Sequence, residues 1–219
     1  MRSPIAKTIL FCWMCAGLGY TFLILPPAYG FQVPELARIV ALHLPNAYVA
    51  VIAAFMAGWF GFRYLTKGRQ PMDDVKSAAA AALAALFCLV TTVTGSVFAQ
   101  YQWGTWWNWD PRETSVFLLL LIYGAYFVLR AGVEDPDRRA TVSSVYVLFA
   151  TVMTPLLGYV IPKYLPTLHP TNTQFDPQYR YAIYFGILPA LLGLMAWMYN
   201  LTVRLEAVRL RREAIGDNL

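Results

Sequence analysis

Two histidines and one tight group of tryptophans carry most of the chemistry available to this chain. The only imidazoles are His43, in Arg38-Ile-Val-Ala-Leu-His43-Leu-Pro, and His169, in Leu-Pro-Thr-Leu-His169-Pro. Four of the seven tryptophans fall within seven residues, at Trp103, Trp106, Trp107 and Trp109, and Asp110-Pro111-Arg112-Glu113-Thr114 follow at once. Two neutral imidazoles suit the two axial positions of a haem iron, and indole faces pack well against a flat, apolar macrocycle. A guanidinium matches the carboxylate geometry of a haem propionate, and Arg38 and Arg112 are placed for that role. Arg38 precedes His43 by a helical rise of about 7 Å, comparable with the span from the metal to a propionate.

The elements that must position these groups are membrane helices. The chain has 219 residues, of which 58% are hydrophobic and only 13% charged, with a mean hydropathy of +0.49, too apolar for a soluble domain of this length. Crossing a bilayer core takes about 20 apolar residues in a helix. Six stretches free of Asp, Glu, Lys and Arg qualify: Thr8 to Gln32, Leu42 to Phe62, Ser77 to Trp109, Thr114 to Leu129, Ala140 to Pro162 and Tyr181 to Val203. The fourth is short and is lengthened by Arg112 or Arg130 snorkelling at its ends. The fold class is therefore all-α, a polytopic bundle of six transmembrane helices forming one domain over residues 1–219.

Charge sets the expected orientation. With both termini in the cytoplasm, only Arg38, Arg112, Lys163 and Arg180 of the 17 basic residues fall outside, a strong positive-inside bias. The net charge of +5 then reports topology and contact with anionic lipid, and calls for no nucleic-acid partner. Both histidines and the tryptophan cluster come to the outer face. Helices are expected at about 5–26, 43–65, 77–99, 111–131, 141–161 and 181–204, with outer connections at 27–42, 100–110 and 162–180. Asp110 to Glu113 reads as a helix start, with an acidic N-cap, proline at the first position and glutamate at the third. Its unpaired amides and positive dipole favour an anionic group nearby. Pro155 and Pro189 are expected as kinks inside the fifth and sixth helices.

Other chemistries find little support. Cys12, Cys15 and Cys88 lie in apolar runs and read as small hydrophobes, and no histidine follows Cys15 to make a covalent haem-attachment sequence. No phosphate-binding loop or nucleophile and base arrangement is recognisable.

Trp-Gly-Thr-Trp-Trp-x-Trp-Asp before a membrane helix resembles the tryptophan-rich signature of haem-handling proteins in bacterial cytochrome c biogenesis, and most of all the CcmC family. The Arg-x4-His-x-Pro segment and the Thr-Leu-His of the last outer loop have counterparts there, so the resemblance spans nearly the whole chain. It implies His43 and His169 as axial ligands of non-covalently held haem b. It also implies Trp103, Gly104, Trp106, Trp107, Trp109 and Asp110 as a platform for haem and a docking chaperone, with Arg38 and Arg112 as propionate partners. The implied function is non-enzymatic: haem is held at the periplasmic face of the bacterial inner membrane and delivered to an extracytoplasmic, CcmE-like haem chaperone. The implied partners are an ABC-type complex of CcmA and CcmB kind and a small CcmD-like subunit. Asp110-Pro111-Arg112-Glu113-Thr114 looks more like the related CcsA-type proteins, whose lyase role in attaching haem to apocytochrome c is the alternative. Those proteins add a second, intramembrane histidine pair, which this chain lacks.

Overall fold

The computed structural model describes residues 3–169 and 175–216; Arg2 and residues 170–174 of the third expected outer connection lie outside them. Among the described residues, six helices are long and apolar enough to cross a membrane: α1 (Pro4–Ile24), α2 (Leu36–Thr66), α3 (Pro71–Trp103), α4 (Pro111–Gly132), α5 (Pro136–Lys163) and α6 (Pro177–Glu213). These are the six expected spans, and no strand occurs among the described residues.

Helices α2 and α3 form the central hairpin, with α4 and α5 packed on one side and α6 on the other. Small residues let the backbones come close where hydrophobic burial alone provides no drive. Gly58 and Gly61 of α2 lie against Thr151 and Val147 of α5, so closely that a Cβ on either glycine meets those side chains. The Thr151 hydroxyl donates across this contact to the Ala54 carbonyl at 3.1 Å. On α3, Ala80, Ala81 and Ala84 are buried. The core joins Val49, Ala53, Leu83, Phe87, Ile187 and Leu191 from α2, α3 and α6.

Helix α3 starts at Pro71, six residues earlier than charge-free length suggests. Its first turn carries Asp73 and Asp74, which meet cations instead of lipid. Arg130 makes a bidentate pair with Asp74 at 2.6 and 2.9 Å, and Arg63 approaches Asp73 at 3.4 Å. Acidic groups also suit a helix N-terminus. These pairs tie α2, α3 and α4 together at the end of the bundle opposite the histidines.

Widened turns lie beside both prolines. A π-helical turn, Leu156–Val160, follows Pro155 in α5; another, Ala182–Ile187, precedes Pro189 in α6. Pro189 has no N–H for the Phe185 carbonyl four residues earlier. Trp13 of α1 supplies the donor, its indole Nε1 lying 3.3 Å from the Phe185 carbonyl and 3.0 Å from that of Gly186. This bond and the contact of Gly17 with Gly186 join α1 to the rest of the bundle.

Candidate haem site

At the histidine-bearing end the chain folds three connections over the tops of α2 to α5. Helix α3 continues to Trp103 and stops at Gly104, whose φ of +83° is the left-handed C-cap that glycine adopts without steric cost. The chain then runs through the exposed Thr105 and Trp106 to Trp109, a non-glycine residue at φ +55°. Such a conformation costs on the order of 1–3 kcal/mol and persists only where its surroundings fix it. Here the fixing element is the α4 N-terminus. Asp110 accepts from the Arg112 amide at 2.9 Å, and Glu113 accepts from the amides of Asn108 at 2.7 Å and Asp110 at 3.3 Å. The anticipated capping box is therefore complete.

Asp110 does more than cap. Its carboxylate, buried to 4% exposure, also accepts from the Thr167 hydroxyl at 3.0 and 2.8 Å, the Leu168 amide at 2.6 Å and His169 Nδ1 at 3.0 Å. Burial alone raises its pKa, but the hydrogen bonds from Arg112, Leu168 and Thr167, with His169 beside it, outweigh that and hold it below the ordinary carboxylate value. Asp110 is thus ionised and ties the loop of His169 to the head of α4. Burial holds the His169 pKa below its ordinary value, against the pull of Asp110, so the imidazole is neutral at pH 7. The Trp103 ring packs edge-on against His169 at 5.0 Å between centroids, backed by Phe98 at 5.5 Å.

His43 projects from the first turns of α2 toward α3. Its Nδ1 lies 3.0 Å from the Thr94 hydroxyl. Gly95 leaves room for the ring, since a Cβ there stands 3.0 Å from His43 Cε1. Among the described residues neither histidine uses its Nε2 in a hydrogen bond.

Both histidines line one cavity of about 470 Å³ between α2, α3, α4 and α5, within the range of about 300–1,000 Å³ common for ligand pockets. Trp107, Arg112 and Glu113 line it with them, and its wall follows α3 from Ser96 down to Ala84, about 18 Å of helix. Away from the histidines the wall carries apolar Leu44, Ala47, Val51 and Leu119, interrupted by Thr91, Thr92, Tyr123 and Thr154 among its polar groups. Arg112 Nε and Glu113 Oε1 are buried with no partner among the described residues. An unpartnered guanidinium nitrogen in a wall that also carries two imidazoles suits a ligand that combines a metal, a broad apolar body and a carboxylate.

The remaining expected residues are spread around this centre. Trp106 and Trp109 are exposed, at 58% and 70%, and Trp109 packs edge-on against the cavity-lining Trp107 at 6.0 Å. Arg38 does not line the cavity. It sits on the 3₁₀ turn that opens α2, donates to the Phe22 carbonyl at 3.2 Å and keeps an unpartnered Nε. Cys12 and Cys15 lie exposed on α1, while Cys88 is buried. Thr167, though part of the Thr-Leu-His segment, gives no sign in the sequence that it meets Asp110, and Thr94 and Gly95 read as ordinary packing residues. Their one signal is the Thr91-Thr92-Val93-Thr94-Gly95 run of hydroxyls inside an otherwise apolar helix.

Residues 2–217 match the family model for CcmC, described as heme exporter protein C. The chain is 29% identical to heme exporter protein C of Paracoccus denitrificans, covering 92% of this chain and 85% of that protein. It is 31% identical to heme exporter protein C of Escherichia coli K12, covering 95% and 84%. With its six spans and the match running almost end to end, the chain belongs to the heme exporter protein C family, CcmC.

Proposed function

We propose that this protein handles haem for cytochrome c biogenesis, holding haem b non-covalently at the extracytoplasmic face of the inner membrane and delivering it to a haem chaperone. The observation that carries the reading is the single cavity lined by both histidines of the chain and by Arg112. Relatives bearing the name heme exporter protein C support it. When bound, haem supplies an iron with two axial positions and two anionic propionates. His43 and His169 hold the iron. Arg112 would take one propionate on its unpartnered Nε, and Arg38, outside the cavity wall but with an unpartnered Nε of its own, would take the second. Trp107 and the apolar lower wall cover the macrocycle and keep water from it. Trp103 and the Gly104 cap hold the head of α3 against His169. The exposed Trp106 and Trp109 form the surface on which the chaperone docks. An ABC-type complex of CcmA and CcmB kind and a CcmD-like subunit complete the assembly, since the chain carries no recognisable nucleotide-binding loop of its own.

Co-purification tests delivery. Haem-loaded protein is expected to retain the extracytoplasmic haem chaperone, and Trp106→Ala with Trp109→Ala is expected to weaken that complex at least tenfold while haem stays bound. Retention of apocytochrome c in place of the chaperone argues for the lyase role instead. Chaperone binding indifferent to both substitutions contradicts the docking assignment.

A further inference from the structure

The two imidazoles have different partners at Nδ1, a neutral hydroxyl for His43 and a carboxylate for His169. The Thr94 hydroxyl has one hydrogen, directed at the helix carbonyls of Val90, at 2.8 Å, and Thr91, at 3.1 Å. Those carbonyls only accept. With His43 Nε2 on the iron, the one proton of the neutral imidazole sits on Nδ1 and is donated to the Thr94 oxygen 3.0 Å away. On the other side, the ionised Asp110 carboxylate also only accepts, so His169 carries its proton on Nδ1, 3.0 Å from Oδ1. A neutral imidazole has one N–H, which leaves both Nε2 lone pairs free.

The partners differ in strength. A carboxylate accepting from the far nitrogen of a metal-bound histidine raises that ligand's basicity and fixes its ring. Hydrogen bonds to an ionised acceptor are roughly twice as strong as those to a neutral one. Asp110 is itself held by three further donors, the Arg112 amide, the Leu168 amide and the Thr167 hydroxyl. The Thr94 hydroxyl is neutral and is shared with its own helix.

Resting on the haem reading above, we propose that Asp110 and Thr94 are positioning residues that make the two iron ligands unequal, His169 the firmer and His43 the one that yields when haem is passed on. The tryptophan motif and the last loop then act as one unit: the aspartate that ends the motif sets the histidine of the loop. Exchange at His43 would leave His169 to hold the iron while the acceptor supplies its own ligand.

The test uses carbon monoxide as a probe of the reduced, haem-reconstituted protein in detergent, comparing wild type with Asp110→Asn, Thr94→Val and Thr94→Ser. Carbon monoxide displaces the weaker protein ligand, and the Fe–C and C–O stretching frequencies in resonance Raman and infrared spectra report the hydrogen bonding of the ligand that remains. The expected result is that Asp110→Asn shifts these frequencies while both Thr94 variants leave them at the wild-type values. Carbon monoxide is also expected to bind several-fold more tightly to Thr94→Val, with Thr94→Ser restoring the wild-type affinity. A shift in Thr94→Val without one in Asp110→Asn names His169 as the displaced ligand and overturns the proposal. Shifts in both, or in neither, overturn it too. If Asp110→Asn fails to fold, a frequency shift in the Thr94 arm still overturns the proposal, and an unmoved frequency with a raised affinity supports it. Failure of wild-type protein to bind haem at all removes the haem reading itself, a separate outcome.

Discussion

Gly95 shows how finely the first imidazole is placed. A Cβ at that position stands 3.0 Å from His43 Cε1 and 3.5 Å from Nδ1, so Gly95→Ala displaces the ring by a few tenths of an ångström from its place beside Thr94. Overpacking of this kind typically costs about 1–3 kcal/mol, or about 5- to 150-fold in a binding constant. Haem affinity measured by titration is expected to fall by that much while helical content is unchanged; unaltered affinity contradicts the placement. A pH dependence also belongs at this scale. Burial depresses the folded pKa of His169 below its ordinary 6.5, so the unfolded chain binds more protons and the contribution to stability is lost as pH falls past 6.5 toward the lower folded value. Asp110, depressed below 3.8, adds a second loss at more acidic pH. The thermal midpoint of the haem-free protein is expected to drop between pH 7 and 5, and less steeply in His169→Gln; equal slopes contradict the assignment. That the histidines, Trp107 and Arg112 are candidates was legible in the sequence, because only two histidines occur, Trp107 sits in the tryptophan cluster and Arg112 follows it directly; the fold sets all four on one cavity wall. The inward turn of Asp110 was not legible, since its partners Thr167 and Leu168 lie more than fifty residues away and only the tertiary fold brings them together.

Element boundaries followed from apolar length at most ends, but α2 opens at Leu36 ahead of the expected residue 43, α3 runs on to Trp103, and α3 starts early. The α3 start was placed late because Asp73, Asp74 and Lys76 interrupt the apolar run, and a sequence cannot reveal that Arg63 and Arg130 neutralise the two aspartates. The α4 start was read from local chemistry alone, because a capping box is built from neighbours in sequence. Pro155 and Pro189 were legible as interruptions, but their form as π-helical turns depends on what each neighbouring helix supplies. Trp13 is the clearest case, an indole on α1 that serves carbonyls on α6. Replacing it with phenylalanine keeps the apolar contact and removes the donor, a hydrogen bond worth about 0.5–1.5 kcal/mol. Trp13→Phe is expected to lower the unfolding temperature in detergent, while Trp59→Phe, on an exposed face of α2, leaves it unchanged. Equal effects from the two substitutions contradict the role given to the indole.

At the scale of the whole molecule, packing is uneven along the bundle. At one end glycine contacts and the Arg63 and Arg130 ion pairs draw α2 to α5 tightly together; toward the other, the same helices part around a cavity of about 470 Å³. The tight end anchors the helices so that the loops of the open end can bring side chains from distant parts of the sequence to one wall. The six-helix plan was legible because bilayer thickness imposes it on composition. The cavity was not, because its walls combine four helices whose relative rotation no local pattern specifies. What fills it is read most directly from the ultraviolet-visible spectrum of detergent-purified protein with added haem, wild type beside His43→Ala and His169→Ala. A low-spin bis-histidine spectrum in the wild type, lost or converted in each single variant, is the predicted result. Spectra unchanged by either substitution, or no haem binding by the wild type, contradict the account.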